Sequence, residues 1–415
     1  MLLFSGKANK LISIFCLLSM ISFGAGCSNI PATTVEPSSF SIFTAPSSVE
    51  PGRFFPERPT EPTGFYPDKD LAEVLADFVS PEYQGTVLVI KGGEIRYEDY
   101  SGYASVESEE YCDPDTTYEI GYITRQFTAA GIMVLVEQGL LDLDTTLSEF
   151  YPDYEYADLI TVRMLLSMTS GIPNYLNGTI AEPDHASLLY KKGLFHTETR
   201  AAIDAFSSTD VSFETTYEWI KNQELLFEPG TQFGMSNTGY VILADLIERI
   251  SEVPYIHFMQ KNILTPAGLE TASFGPSSET ADGYCYQNAV QYRTPETPLI
   301  ADGGLRMSAK DLIRWMAIIR EREILSEESW EILLTPGEYG YGLGFSVYSD
   351  GSIFEVGDVG GFSSTAVCVP SEQITAVILS NRYREDRWAD QVIESILDYY
   401  GYTIGAEPVE PEPQS

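Results

Sequence analysis

Basic residues and histidines are scarce in this chain. Its 415 residues include 24 Lys and Arg against 61 Asp and Glu, which gives a formal net charge of -37. A nucleic-acid groove needs clustered Lys and Arg, and the sequence has no basic run, so nucleic acid is not an expected partner. The three histidines, His185, His196 and His257, are far apart, and no CxxC pair occurs. We therefore expect no metal site and no cofactor.

Glycine and proline are too few for a collagen-like chain, and a hydrophobic share of 44% is too high for a disordered one. Cysteine is sparse as well. Beyond the N-terminal region only Cys112, Cys285 and Cys368 remain. One disulfide among them is compatible with an exported protein, but the sequence does not define which pair would form.

The N-terminus is typical of a targeting segment. Lys7 and Lys10 precede an apolar run over residues 11–26, which is shorter than the roughly 20 residues of a spanning helix. The run ends in small residues directly before Cys27, and this resembles a bacterial lipoprotein cleavage site. We expect residues 1–26 to be a signal peptide and Cys27 to be lipidated, which would anchor the exported chain at the outer face of the membrane. An ordinary signal peptide or an uncleaved anchor is the alternative.

Two segments are too rich in proline to bury a core. Eight of the 24 prolines lie within residues 28–67, among many Ser, Thr and Glu. We assign residues 27–67 to a linker and residues 404–415 to a Pro/Glu-rich tail. The folded domain is then expected over residues 68–403.

Within that domain, strand patterns occur at both ends and helical patterns lie between them. Residues 85–90 and 94–97 flank Gly92-Gly93 and predict a hairpin. Apolar periodicity predicts helices elsewhere. The predicted helices are 68–79, 124–139, 160–168, 239–251, 254–264, 308–320 and 388–400, and the predicted C-terminal strands are 345–348, 363–369 and 374–379. This order favours an α+β fold with one antiparallel sheet built from both chain ends, flanking helices and a mostly helical lobe.

Many short blocks along residues 70–400 resemble the β-lactamase-related serine hydrolases, which include class C β-lactamases, DD-peptidases and esterases. The blocks include Tyr118-Glu119-Ile120-Gly121, Thr169-Ser170-Gly171, Glu228-Pro229-Gly230-Thr231, Ser236-Asn237-Thr238-Gly239-Tyr240, Pro266-Ala267-Gly268-Leu269, Gly303-Gly304-Leu305 and Gly361-Phe362-Ser363-Ser364. They follow the family's order. The resemblance implies a β-lactamase/transpeptidase-like fold with a cleft between sheet and helices.

The catalytic positions depart from that family. Its Ser-x-x-Lys motif supplies the acylated nucleophile and a proton-transfer group. The corresponding residues here are Tyr122 and Arg125, and no Ser-x-x-Lys occurs anywhere in the chain. The family's Tyr-x-Asn is here Met235-Ser236-Asn237, which keeps only the Asn. The third motif, a cation followed by x-Gly, is replaced by Glu355-Val356-Gly357.

These replacements favour a catalytically inactive protein. Arg cannot accept a proton and a thioether has none to move. We expect Tyr122 to fill the space of the former acyl group, Arg125 and Glu355 to form an ion pair, and Asn237 to cap the following helix. Three functions remain open. The first is binding of a peptidoglycan-derived peptide, a small acyl ligand or a partner protein, and the second is hydrolysis that uses Tyr122 or a water held by Glu355. The third is a purely structural role.

Overall fold

A computed structural model describes residues 64–79, 83–175, 211–287, 290–294, 300–337, 340–383 and 388–405. Every described residue belongs to one unit, Gly52–Ser415. The predicted signal peptide, Cys27, His185 and His196, most of the linker and most of the tail lie outside the described residues. Among the residues described, no helix has the length and apolar content that a membrane crossing requires.

The described residues contain strands and helices that we number in chain order. The strands are β1 (Gly64–Phe65), β2 (Gly85–Lys91), β3 (Glu94–Ser101), β4 (Tyr103–Ser105), β5 (Glu110–Tyr111), β6 (Tyr118–Glu119), β7 (Ser273–Phe274), β8 (Tyr284–Gln287), β9 (Val290–Arg293), β10 (Leu305–Met307), β11 (Ile353–Val356), β12 (Ser363–Val369) and β13 (Ile374–Ser380). The helices are α1 (Lys69–Leu75), α2 (Thr124–Glu137), α3 (Val162–Leu166), α4 (Phe213–Ile220), α5 (Asn237–Ser251), α6 (Tyr255–Met259), α7 (Thr265–Ala267), α8 (Ala309–Glu321), α9 (Glu327–Leu334) and α10 (Trp388–Tyr399).

The main sheet combines both ends of the domain, as the sequence predicts. Its six strands lie in the order β1-β3-β2-β13-β12-β11, and every neighbouring pair is antiparallel. The sheet therefore places β11, from near the C-terminus, at one edge. The antiparallel sheet with flanking helices confirms the predicted α+β class.

Alternation along β13 explains how the sheet is covered on both faces. Ala376 and Ile378 pack in a cluster with α1 and α10, whereas Val377 and Leu379 belong to the larger core beneath the helical lobe. Successive side chains of a strand point to opposite faces, so a strand that is apolar throughout is buried on both sides. The predicted strands 363–369 and 374–379 agree closely with the observed β12 and β13, in which every residue is buried.

Several predicted boundaries differ from the structure, among them the end of helix 68–79, which is at Leu75, and three of the differences have an identifiable local cause. The folded domain begins by Gly64, not residue 68, because β1 pairs with β3. The predicted strand 345–348 makes only isolated bridges, since the neighbouring Gly344 has φ +91° and the Ser346 amide donates to a side chain. The predicted helix 254–264 ends as an α-helix at Met259 and continues as a π-helix. Pro266 lacks the amide that would continue the α-helical pattern.

Candidate active site

The start of α2 touches the end of β11, and this contact defines the site. A short 3₁₀ turn, Gly121–Ile123, precedes α2 and presents Tyr122. Gly121 has φ +52°, and a Cβ added there would lie 2.0 Å from the carbonyl oxygen of Gly357. A Cβ on Gly357 would lie 1.9 Å from the carbonyl oxygen of Ile120. Two glycines therefore allow the backbone after Glu355 to lie directly beside the turn that carries Tyr122.

Arg125 occupies the floor of the site, one helical turn after Tyr122. Its side chain is only 2% exposed. The guanidinium carbon lies 4.3 Å from the centre of the Tyr122 ring and 5.8 Å from that of Tyr240. It also donates a hydrogen bond to Oδ1 of Asn237. A desolvated cation–π contact is worth about 2 kcal/mol, so the half-buried Tyr122 ring and Arg125 stabilise each other.

The segment that corresponds to the family's Tyr-x-Asn motif, Met235-Ser236-Asn237, lies at the start of α5. Asn237 is the first helical residue and Ser236 is the N-cap residue, although the Ser236 side chain accepts no capping hydrogen bond. The prediction that Asn237 caps this helix is therefore wrong, because its carbonyl oxygen is bonded to Arg125 instead. Met235 is 43% exposed. The buried Asn237 amide nitrogen and Ser236 hydroxyl have no hydrogen-bond partner among the described residues.

Glu355 stands where the family has a cation, and it is only 6% exposed. One carboxylate oxygen accepts a hydrogen bond of 3.1 Å from the Ser346 amide. Burial raises the pKa of Glu355 to about 7, while that hydrogen bond and the charge of Arg125 act in the opposite direction. Arg125 and Glu355 thus interact electrostatically. Their direct ion pair stays a prediction, since the contacts described here join Arg125 to Asn237 and Tyr122.

A second buried carboxyl group, on Asp302, was missed from the sequence. Asp302 accepts a hydrogen bond of 2.7 Å from the Tyr175 hydroxyl, and both residues are buried. Burial raises the pKa of Asp302 to about 6, whereas Tyr175 and the charge of Arg125 lower it. Tyr175 also packs with Tyr122. The one sequence signal for Asp302 is its position directly before Gly303-Gly304-Leu305.

The side chains at the corresponding positions differ from those that the family uses for acyl transfer. Tyr122 has a hydroxyl, but the group beneath it is a guanidinium, which cannot take its proton. Among the residues at the motif positions, Glu355 is the one that could act as a base. One of its carboxylate oxygens accepts a hydrogen bond from the Ser346 amide. Within the described residues, no group of three or more His, Cys, Asp and Glu side chains could hold a metal ion.

Comparisons with known proteins identify the scaffold. The sequence model of the β-lactamase family matches residues 76–398. The chain belongs to the β-lactamase family. Penicillin-binding protein 4* of Bacillus subtilis is 26% identical over 361 residues, which cover 79% of this chain and 75% of that protein. The predicted family is therefore confirmed.

Solved structures of similar proteins agree with the fold. The octameric penicillin-binding protein homologue from Pyrococcus abyssi is 27% identical, with a TM-score of 0.65 over 81% of this chain and 77% of that one. The D-amino acid amidase from Ochrobactrum anthropi has a TM-score of 0.64 at 19% identity, over 80% of this chain and 99% of that one, and supports the fold alone. The expected β-lactamase/transpeptidase-like fold is confirmed.

The cysteines of this family member are free thiols in the described residues. Cys112, Cys285 and Cys368 are all buried and form no disulfide. Burial raises the pKa of the Cys112 thiol to about 12. The disulfide that the sequence left open is therefore absent from this part of the chain, and Cys112 is a poor nucleophile.

Proposed function

We propose that this protein is a catalytically inactive, penicillin-binding-protein-like member of its family. It is exported, anchored to the membrane through lipidated Cys27, and binds a peptidoglycan-derived peptide or a small acyl ligand in the former active-site cleft. The observation that carries the proposal is the Tyr122–Arg125 contact. A phenol ring and a buried guanidinium stand at the positions where the family has its nucleophile and its proton-transfer group.

The proposal has two parts, catalytic inactivity and ligand binding, and different residues support each part. Arg125, Met235 and Glu355 cannot together supply the base, phenol and cation of the family's reaction. Asn237 is retained, and its amide nitrogen is buried without a partner beside the Ser236 hydroxyl. Unsatisfied buried donors cost about 1–3 kcal/mol each, so a carbonyl or carboxylate oxygen that reached them would bind favourably. The exposed Met235 side chain offers an adaptable apolar contact.

A ligand screen by thermal shift tests the binding half. Muropeptides and an acyl-D-alanyl-D-alanine peptide should raise the unfolding temperature of the mature protein. Asn237→Ala should abolish that rise. Asn222→Ala is the matched control, because Asn222 is exposed and its amide bonds only the Glu218 carbonyl among the described contacts. Absence of any shift with the unmodified protein would favour a purely structural role.

Hydrolysis is the second candidate, and Glu355 is the observation that favours it. A carboxyl group whose pKa burial raises to about 7 is suited to general-base catalysis near neutral pH. A fluorescent penicillin or an acyl-phosphonate probe distinguishes the two proposals. We expect no covalent labelling. Labelling that disappears in Tyr122→Phe would show a working nucleophile and would overturn the inactive assignment.

A further inference from the structure

A cavity lies beside the edge strand β1 of the main sheet and shares no lining residue with the candidate active site. Its volume is about 490 Å³, which falls within the range of roughly 300–1,000 Å³ for pockets that enclose small ligands. We call it the edge cavity. Its lining includes Gly64 and Phe65 of β1, Glu98 and Tyr100 of β3, Asp113, and Lys310 of α8.

The apolar part of this lining is only partly covered. Phe65 is 55% exposed, whereas Tyr100, which lines the same cavity, is buried. The two-residue strand β1 pairs with Glu98 and Asp99, whereas β3 extends beyond them to Ser101. Proteins usually cover an edge strand, because its backbone groups would otherwise pair with another chain. A further segment laid along β3 would cover both the strand and the Phe65 ring.

The register of β1 directs the preceding residues towards the same cavity. The two strands are antiparallel, with Gly64 opposite Asp99. Continuing this register places Thr63 opposite Tyr100. Because side chains along a strand alternate between the two faces, Thr63 would share the face of Phe65 and Tyr100. The residues before β1 therefore enter the edge cavity if they follow the course that β1 begins.

The segment before β1 is long enough to fill the cavity. Residues 53–63 precede the described residues, and we call them the proximal linker. They contain two adjacent aromatic residues, Phe54 and Phe55, and Phe54 lies ten residues before Gly64. Ten extended residues span at most about 33–36 Å, so the chain can turn back over a cavity that Gly64 itself lines. An aromatic side chain buries about 150–250 Å² of surface, which favours such a contact.

The charges of the proximal linker also match those of the cavity. Arg53 and Arg58 are the only basic residues of the predicted linker. The cavity presents the carboxylates of Glu98 and Asp113 to them. Lys310 adds one cation to the lining, and the proximal linker carries two glutamates that complement it. Complementary charges of this kind determine which segment docks and in which register.

We propose that the proximal linker docks in the edge cavity, lies along β3 as a continuation of β1, and packs Phe54 and Phe55 against the Phe65 side of the cavity. Pro62 is compatible with this course, because proline is tolerated in edge strands. The occupant is thus a segment of this same chain, and it covers the edge of the main sheet.

Docking would shorten the tether between the domain and its anchor. The predicted linker then keeps only residues 28–52 as a tether. The r.m.s. reach of a coil-like chain falls from roughly 35 Å at about 40 residues to roughly 28 Å at about 25. This consequence for the membrane rests on the proposed lipidation of Cys27. The docking itself depends neither on that anchor nor on the proposed ligand.

Disulfide trapping tests the docking in a chain of residues 28–415. Glu57→Cys, which keeps both phenylalanines, is combined either with Lys310→Cys at the edge cavity or with Lys69→Cys at the start of α1. Both lysines are exposed, and the three described native thiols are buried. In a glutathione redox buffer, the pair with Lys310→Cys should form its intrachain disulfide at least about tenfold faster, because docking raises the effective concentration of one thiol at the other.

Two outcomes of the trapping experiment would overturn the proposal. Equal rates for the two pairs would show that the proximal linker does not prefer the edge cavity. Disulfides that join two chains instead of closing within one would show that a second copy of the protein occupies the cavity.

Thermal unfolding of two linker variants provides the second test. The double variant Phe54→Ser with Phe55→Ser should lower the unfolding temperature by at least about 2 °C, because it removes the apolar contact with the cavity. Phe40→Ser with Phe43→Ser is the matched control, since these residues precede the proximal linker, and it should leave the temperature unchanged. An equal shift in both variants, or none in the first, would overturn the proposal. None of these residues belongs to the candidate active site, so the muropeptide screen judges the proposed function separately.

Discussion

The aromatic ring of Tyr122 lies over the guanidinium of Arg125, with 4.3 Å between the guanidinium carbon and the ring centre. The same guanidinium donates to Asn237 and interacts with the charges of Asp302 and Glu355. Arg125 therefore links α2 to α5 through a hydrogen bond, and its charge acts on Glu355 of β11.

Replacing Arg125 by Met should destabilise the fold strongly. The substitution removes the guanidinium that donates to the buried Oδ1 of Asn237 and whose charge acts on two buried carboxyl groups, and a buried acceptor left without its donor alone costs about 1–3 kcal/mol. Urea denaturation at pH 8 measures the loss. Arg163→Met is the matched control, because Arg163 pairs with Asp144 at the surface, where such pairs contribute about 0–1 kcal/mol. Similar losses in both variants would contradict the central role of Arg125.

Gly121→Ala should lower the free energy of unfolding more than an alanine substitution at another glycine with positive φ. The added Cβ would meet the Gly357 carbonyl at 2.0 Å and force β11 away from the turn that carries Tyr122. Gly139→Ala isolates the backbone contribution, since Gly139 has φ +68° but no atom within 4 Å of the added Cβ. Strain alone costs about 1–2 kcal/mol. The free energy of unfolding of Gly121→Ala should fall below that of Gly139→Ala, and equal values would contradict the close approach.

Local sequence patterns were sufficient to predict most strands of the main sheet and several helices. The strands β2, β12 and β13 are rich in β-branched and other apolar residues, and Gly92-Gly93 has positive φ at both residues of the predicted turn. The sequence prediction overlooked the short α7 and two longer helices, α4 and α9. Each of the two longer helices begins with a serine N-cap that accepts from the amide three residues later, Ser212 from Thr215 and Ser326 from Ser329. A serine followed by acidic residues could therefore have predicted the start of each of these two helices.

The candidate site was predictable only in part, because its contacts join distant parts of the chain. The family resemblance located Tyr122, Arg125, Asn237 and Glu355 by their motifs. It did not indicate that Tyr175 and Asp302, 127 residues apart, would form a buried hydrogen bond beside them. Nor could local pattern show that Asn237 bonds Arg125 instead of capping its helix. Long-range packing decides both points.

The three described thiols should be unreactive in the folded protein. Burial raises the pKa of Cys112 to about 12, and that of Cys368 also lies above its usual value, so little thiolate forms at pH 8. A chain of residues 28–415 should react with a thiol reagent only after denaturant is added, and then at three sulfurs. Raising the pH from 7 to 9 in the folded state should change the rate little. Rapid labelling without denaturant would show that these side chains are accessible.

Restoring the nucleophile alone should not restore activity. Tyr122→Ser places a hydroxyl at the family's position, but the group one turn later remains a guanidinium that cannot accept its proton. Asn237 and Met235 cannot accept it either, and the Glu355 carboxylate already receives the Ser346 amide. We expect no nitrocefin hydrolysis above that of the unmodified protein between pH 6 and pH 8. A variant that rebuilds all three motifs, Tyr122→Ser with Arg125→Lys, Met235→Tyr and Glu355→Lys, is the positive control for the scaffold. Rapid turnover by Tyr122→Ser alone would mean that another group near the floor, with Glu355 the first candidate, serves as the missing base.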